Sequence, residues 1–202
     1  MNVAILAGGR ARRLGGIDKS ALQIGRVSIF DRQMAALDGL ADEVVVIGGE
    51  SARFEGYDVR LVPDRLPHAG ALGGIYTALC EATASHVLVI ACDLPFASAP
   101  LLARLAALAG DAVDAVVPRT ADGMQPLCAV YARRLRSRVR RHIESGHLKV
   151  QDLLAAIRVR ELGPDEIRSF DPTGRSFFNV NTPDDLEQAV RLAGRANRHA
   201  RR

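Results

Sequence analysis

The chain has 202 residues, a length that suits one globular domain with a buried core. Its hydrophobic content of 48%, charged content of 25% and mean hydropathy of +0.05 leave no compositional case for a fibrous, low-complexity, disordered or membrane protein. The net charge of +4 comes from 27 basic and 23 acidic residues, and of the basic ones only Lys19 and Lys149 are lysine; such a balance is compatible with anionic ligands in general and singles out none.

No apolar run approaches the ~18–20 residues needed to span a bilayer. Residues 1–6 lack the charged flank and the length of a secretion signal, so the expectation is a cytoplasmic protein with no membrane contact. Cys80, Cys92 and Cys128 are odd in number and show no CxxC spacing, which argues for reduced thiols and against a disulfide framework or a structural zinc site.

In chain order, residues 3–6, 44–47, 59–62, 87–90 and 115–117 are short β-branched apolar runs bounded by Gly, Pro, Asp or charge, the pattern of strands buried on both faces. Between them, residues 29–40, 72–84 and 100–109 have helical spacing and few breakers. Alternation of this kind predicts an α/β fold, a single-domain Rossmann-like three-layer sandwich with a mostly parallel sheet and helices on both faces. Beyond residue 120 the pattern loosens into a Gly-Met-Gln-Pro turn, an apolar run over 127–131, an arginine-rich helix and a polar loop over 163–175. This half is read as holding an antiparallel edge or a substrate-facing excursion. Residues 177–186 read as a strand entering a helix, with Thr182 as N-cap, Pro183 at the first helical position and two carboxylates in the first turn. The domain is expected to span 1–194, followed by a frayed basic tail over 195–202.

The segment after the first strand, Leu6, Ala7, Gly8, Gly9 and on to Arg13, Gly15, Gly16 and Lys19, has the character of a phosphate-binding loop. Its glycines let backbone N–H groups approach a ligand, and its cations match a triphosphate. It is neither a Walker A loop nor a dinucleotide fingerprint, because Asp18 precedes Lys19-Ser20 and no G-x-G-x-x-G is present. Read singly, the same residues also suit a basic surface loop. Asp93 follows the strand over 87–90, and in an open parallel sheet it would face the crevice shared with the glycine loop. A carboxylate there can hold a metal, or it can cap a turn before Pro95.

Taken together these residues resemble the L-A-G-G-x-x-x-R-x-G-x-x-K signature of the nucleotidyltransferases, and in particular of the molybdenum cofactor guanylyltransferase family. Residues 92–96, residues 62–64 with 70–74, and residues 178–186 resemble that family's further motifs in matching order, with Ala71 where proline is usual. The resemblance implies a nucleotide-diphospho-sugar transferase-like fold and transfer of GMP from GTP to molybdopterin with release of pyrophosphate. It implies Lys19, Arg13 and Asp93 as catalytic residues, with Mg²⁺ on Asp93. Leu6, Ala7, Gly8, Gly9, Lys19, Asp64 and Asp93 would contact the nucleotide, and Asn179 and Asn181 the acceptor.

A carboxylate such as Asp64 can accept from the N1–H and exocyclic amine of guanine, the alternative being an ordinary Pro-Asp turn. Asn179 and Asn181 sit at alternate positions, which on a strand puts both amides on one face. After the second strand, residues 47–49 read Ile-Gly-Gly, so any nucleotide contact there must come from backbone. The basic stretch from Arg133 to His142 cannot share one helix face and reads as a solvated helix, the alternative being recruitment of a pterin phosphate or a partner. GTP and molybdopterin are the expected substrates, with transient contact to molybdenum-cofactor delivery or acceptor proteins. The nearest rivals are a cytidylyltransferase or a sugar-phosphate nucleotidyltransferase on the same fold. A non-catalytic nucleic-acid binder is disfavoured by 4% aromatic residues and no tryptophan.

Overall fold

A computed structural model describes residues 1–8, 22–49 and 53–199. The first half builds β1 (Asn2–Leu6), β2 (Gln23–Ile24), β3 (Val27–Ser28), α1 (Ile29–Leu37), β4 (Glu43–Ile47), β5 (Arg60–Val62), α2 (Gly70–Glu81) and β6 (His86–Ala91). The second half adds α3 (Ala99–Ala107), β7 (Ala115–Thr120), β8 (Gly123–Met124), β9 (Cys128–Ala132), α4 (Arg136–Glu144), α5 (Val150–Ala155), β10 (Val159–Leu162), α6 (Pro164–Phe170) and α7 (Pro183–His199).

The central sheet runs β10-β7-β9-β6-β1-β4-β5, with β8 hairpinned onto β7. β1 pairs parallel with β4 and β6, β4 with β5, and β7 with β10. Only β8 and β9 run against their neighbours. Helices cover both faces, as strand alternation dictates. Val3, Ile5, Val44, Val46, Leu88 and Ile90 pack on one side with Phe30 and Leu37 of α1 and Leu101 and Leu105 of α3. Ala4, Leu6, Val45, Ile47, Val87 and Val89 pack on the other with Leu72, Ile75 and Leu79 of α2, Val139 of α4 and Leu153 of α5. This is the expected three-layer α/β sandwich. A third cluster, Leu22, Ile24, Ile29, Val180 and Ala189 with Phe96 and Phe178 against it, seats α7 beside the β2–β3 hairpin.

Local signals explain the helix starts. Ser28 and Asp31 form a capping box on α1, and Ser98 caps α3, whose first turn contains Pro100. Thr182 accepts from the N–H of Asp185, and the Asp185 carboxylate accepts in return from the N–H groups of Asn181 and Thr182. All three cysteines are free thiols, with Cys92 and Cys128 buried. No helix among the described residues is long and apolar enough to cross a membrane.

Three details differ from the sequence reading. The second half's antiparallel strand in the central sheet path is no edge: β9 lies inside the sheet, between β6 and β7. Within 163–175, read as a polar loop, Pro164–Phe170 is helical; its core-facing side is only the buried Ile167 and the half-buried Phe170, too little to give a visible stripe. Residues 177–182 form no strand, because their backbone joins no ladder.

Candidate active site

The parallel strands β1, β4 and β6 all end on one side of the sheet, where the chain opens a crevice. Leu6, Gly8, Ile47, Asp64, Gly74, Asp93 and Leu127 line it, together with Gly70 and Ala71 at the start of α2. Of the residues singled out in the sequence, Leu6, Gly8, Asp64 and Asp93 therefore meet in one place. Ala7 behaves differently: its side chain is buried in the core, and its N–H donates to the carbonyl of Ile47 at 2.9 Å. Any backbone cradle thus starts beyond Ala7. Gly9, Arg13, Gly15, Gly16 and Lys19 lie outside the described residues.

Close approach of backbones shapes the crevice. Gly48 has φ +75°, and a Cβ there would stand 2.8 Å from the Cα and 2.9 Å from the nitrogen of Gly8. The glycines after β4 are thus demanded by the turn and by contact with the loop that follows β1. A Cβ on Gly74 would come within 2.9 Å of Leu6 Cδ1, and one on Gly73 within 2.3 Å of the Leu66 carbonyl. Both glycines let the first turn of α2 lie against β1 and its own lead-in.

The two carboxylates are held differently. Asp64 Oδ1 accepts from the Leu66 N–H at 3.0 Å and from the Thr77 hydroxyl at 2.9 Å, so its orientation is set from α2. That hydroxyl in turn accepts from the N–H of Arg65 at 3.0 Å. Asp93 is half-buried at the end of β6, and its turn is fixed through backbone. Cys92 N–H donates to the carbonyl of Leu6, and Val180 N–H donates to the carbonyl of Asp93 at 3.0 Å. The carbonyls of Ala91 and Leu94 both accept from the Gln33 amide of α1, at 2.7 and 3.2 Å.

Val180 is fully buried between the exposed Asn179 and Asn181. The two asparagines consequently reach the Asp93 turn from an irregular segment that Val180 anchors, not from a strand. The donor set suits a magnesium ion: one hard carboxylate facing an open crevice leaves most positions for phosphate oxygens and water. Among the described residues no group of three or more His, Cys, Asp or Glu side chains could cage a metal by itself.

Residues 3–161 match the family described as the MobA-like NTP transferase domain. The chain belongs to that family. It is 32% identical over 185 residues to a molybdenum cofactor guanylyltransferase of Desulfosudis oleivorans, covering 92% of each chain. It is 37% identical over 189 residues to a probable molybdenum cofactor guanylyltransferase of Pelotomaculum thermopropionicum, covering 94% of this chain and 91% of that one. Among solved structures it resembles molybdopterin-guanine dinucleotide biosynthesis protein A of Archaeoglobus fulgidus, with a TM-score of 0.81, 28% identity, and coverage of 96% of this chain and 100% of the other.

The arginine-rich stretch of this MobA-like chain lies away from the crevice. Arg133 donates its N–H to Ser85, at the start of β6, whereas Asp93 follows the end of that strand. The six strand residues between these ends, at ~3.3 Å each, put roughly 20 Å between them. Arg133, Arg134, Arg136 and Arg138 gather at the far end of the sheet, away from the crevice; the exposed arginines of α4 form the solvated helix expected. Gln125 turns onto Thr120 and Gly123, while Leu127 lines the crevice. Leu148 shares an apolar groove with Leu66, His68, Ala69 and Ile143, beside the start of α2.

Sequence reasoning missed Gln33 and Thr77. Each is a polar residue within the buried stripe of an amphipathic helix: Gln33 among Ile29, Phe30, Ala36 and Leu37, Thr77 among Leu72, Ile75, Ala78 and Leu79. That break in an apolar stripe was the available signal.

Proposed function

We infer that the chain transfers GMP from GTP to molybdopterin or its molybdenum-bound form, releasing pyrophosphate and forming the guanine dinucleotide cofactor. The observation that carries this reading is that Asp64 and Asp93 open into a single crevice beyond the ends of β1 and β6. One carboxylate can then serve the base while the other serves the phosphates. The names of the relatives favour guanine over cytosine and a pterin over a sugar phosphate.

An oxygen of the pterin phosphate attacks the α-phosphorus of GTP. The new P–O bond forms as the bond to the β-phosphate bridging oxygen breaks, and pyrophosphate carries away the electron pair. No covalent enzyme intermediate is needed, so positioning and charge neutralisation are the protein's tasks. Mg²⁺ bound at Asp93 would supply positive charge at the phosphates. In this reading the backbone from Gly8 into Gly9 lies along the nucleotide, Lys19 meets the α-phosphate and Arg13 the departing pyrophosphate. Asp64, aligned by Thr77, accepts from the guanine edge. Asn179 and Asn181 face the acceptor. The labile product suits transient contact with cofactor delivery or acceptor proteins.

The test is calorimetric titration of each nucleoside triphosphate with Mg²⁺, followed by pyrophosphate release on adding molybdopterin. Selective GTP binding and molybdopterin-dependent release are expected. Preference for CTP, or release driven by a sugar phosphate, would overturn the guanylyl or the pterin half of the reading respectively.

A further inference from the structure

We propose that Gln33 is the positioning residue of the Asp93 turn. The proposal rests on the functional reading above, in which Asp93 meets the metal and the phosphates. Gln33 lies on α1, remote in sequence from any motif of the site, and is 0% exposed. Its Nε2 donates to both the Ala91 carbonyl at 2.7 Å and the Leu94 carbonyl at 3.2 Å. Because both partners are carbonyls, the amide orientation follows from the geometry: only the NH₂ end can face them.

The two acceptors bracket Cys92 and Asp93. With Val180 N–H on the Asp93 carbonyl and the Leu6 carbonyl on Cys92 N–H, the turn is held from three elements. Among the hydrogen bonds of the described residues, those of Gln33 grip both of its ends. Its amide therefore sets the direction in which the Asp93 side chain leaves β6.

A second observation separates this role from packing. Gln33 Oε1 is buried and has no hydrogen-bond partner. An unsatisfied buried oxygen is costly, and an apolar residue in the α1 stripe would avoid it. The amide is intelligible as the price of a donor that reaches two carbonyls at once. A displacement of about 1 Å at a charged group in a transfer site is enough to cost ~10²-fold in rate.

The experiment compares wild type with Gln33→Met, which keeps the length and apolar bulk of the side chain and loses the donor. Three quantities are read on the whole chain: kcat and KM for GTP by pyrophosphate release, and the affinity for Mn²⁺ in the presence of a non-hydrolysable GTP analogue. The expected result is a ~10–100-fold loss of kcat and a ~10-fold weaker Mn²⁺ affinity, with KM for GTP changed less than ~3-fold, since Asp64 is held independently by Thr77. If Gln33→Met fails to fold, Gln33→Asn, which retains the amide but withdraws it by one methylene, is read in the same way and should show a smaller loss of the same kind. Unaltered kcat and Mn²⁺ affinity in a folded variant would overturn the positioning role alone. Wild type that neither binds GTP nor releases pyrophosphate would overturn the functional reading, and this role with it.

Discussion

The backbone N–H of Val180 donates to the carbonyl of Asp93 at 3.0 Å, joining residues 87 positions apart in the chain. Val180 is buried with Leu22, Ile24, Ile29 and Ala189, so the bond is protected from water and anchored in a small core of its own. It brings Asn179 and Asn181 to the turn that carries Asp93. In the proposed reading, the acceptor side and the phosphate side of the crevice are thereby built as one unit.

The bonds of the Asp93 turn described above all use backbone groups of residues 91–94, so replacing the side chain leaves them in place. Asp93→Asn is expected to fold with a Tm within a few degrees of wild type and to lose on the order of 10²–10³ in turnover. Pyrophosphate release with GTP and molybdopterin measures this. Turnover near wild type would remove Asp93 from the reaction.

Guanine choice is expected to rest on Asp64 and its alignment by Thr77. A hydrogen bond to a charged group is worth about 1.5–3 kcal/mol, so Asp64→Asn should reduce the preference for GTP over ITP by roughly 10–100-fold. Thr77→Val, of similar shape but lacking the hydroxyl, should reduce it less. Competition binding of the two triphosphates to each variant reads the ratio, and an unchanged ratio in Asp64→Asn would move base recognition elsewhere.

Gly48→Ala combines a left-handed backbone with a Cβ 2.8 Å from the Gly8 Cα. Together these should cost about 1–3 kcal/mol and lower the Tm by several degrees. Nucleotide binding should weaken as well, because the atoms forced apart are those of the loop after β1. Gly110→Ala is the control: nothing stands within 4 Å of its Cβ and its φ is not positive. Thermal melts with and without GTP distinguish the two.

Acid stability should depend on Asp114, at the far end of the sheet from the crevice. Burial raises its pKa, but hydrogen bonds from the Arg158 side chain and backbone and from Arg134 outweigh this and lower it to about 2. A carboxylate lowered from 3.8 in the folded state stabilises the fold above its unfolded pKa and loses that contribution as pH falls from about 4 towards 2. The contribution is about 2 kcal/mol. Urea denaturation of wild type and Asp114→Asn should differ most near pH 6 and converge near pH 2.

The nucleotide-binding half was legible because its strands are buried on both faces and read as unbroken apolar runs, from Val3 to Leu6 and from Val87 to Ile90 alike. Gly8 and the end of β6 then converge through parallel pairing alone. The second half was less legible for a physical reason: β9 has the composition of any buried strand, and its place between β6 and β7 depends on partners that no local pattern encodes. Alternation of Phe178, Asn179, Val180 and Asn181 mimicked a strand. The Val180 N–H, however, bonds to a turn and not to a ladder. Gln33 and Thr77 act through neighbours brought near only by folding.

The reversed strand β9 also governs assembly. Until residues 128–132 arrive, the outer edge of β6 has nothing to pair with, and β6 is a run of His-Val-Leu-Val-Ile-Ala with five buried positions out of six. A nascent or truncated chain ending before Cys128 would present that edge as a template for intermolecular pairing. The half that holds Asp93 therefore depends for its solubility on the half that follows it, and the domain resists division at its midpoint even though the chemistry is concentrated on one side.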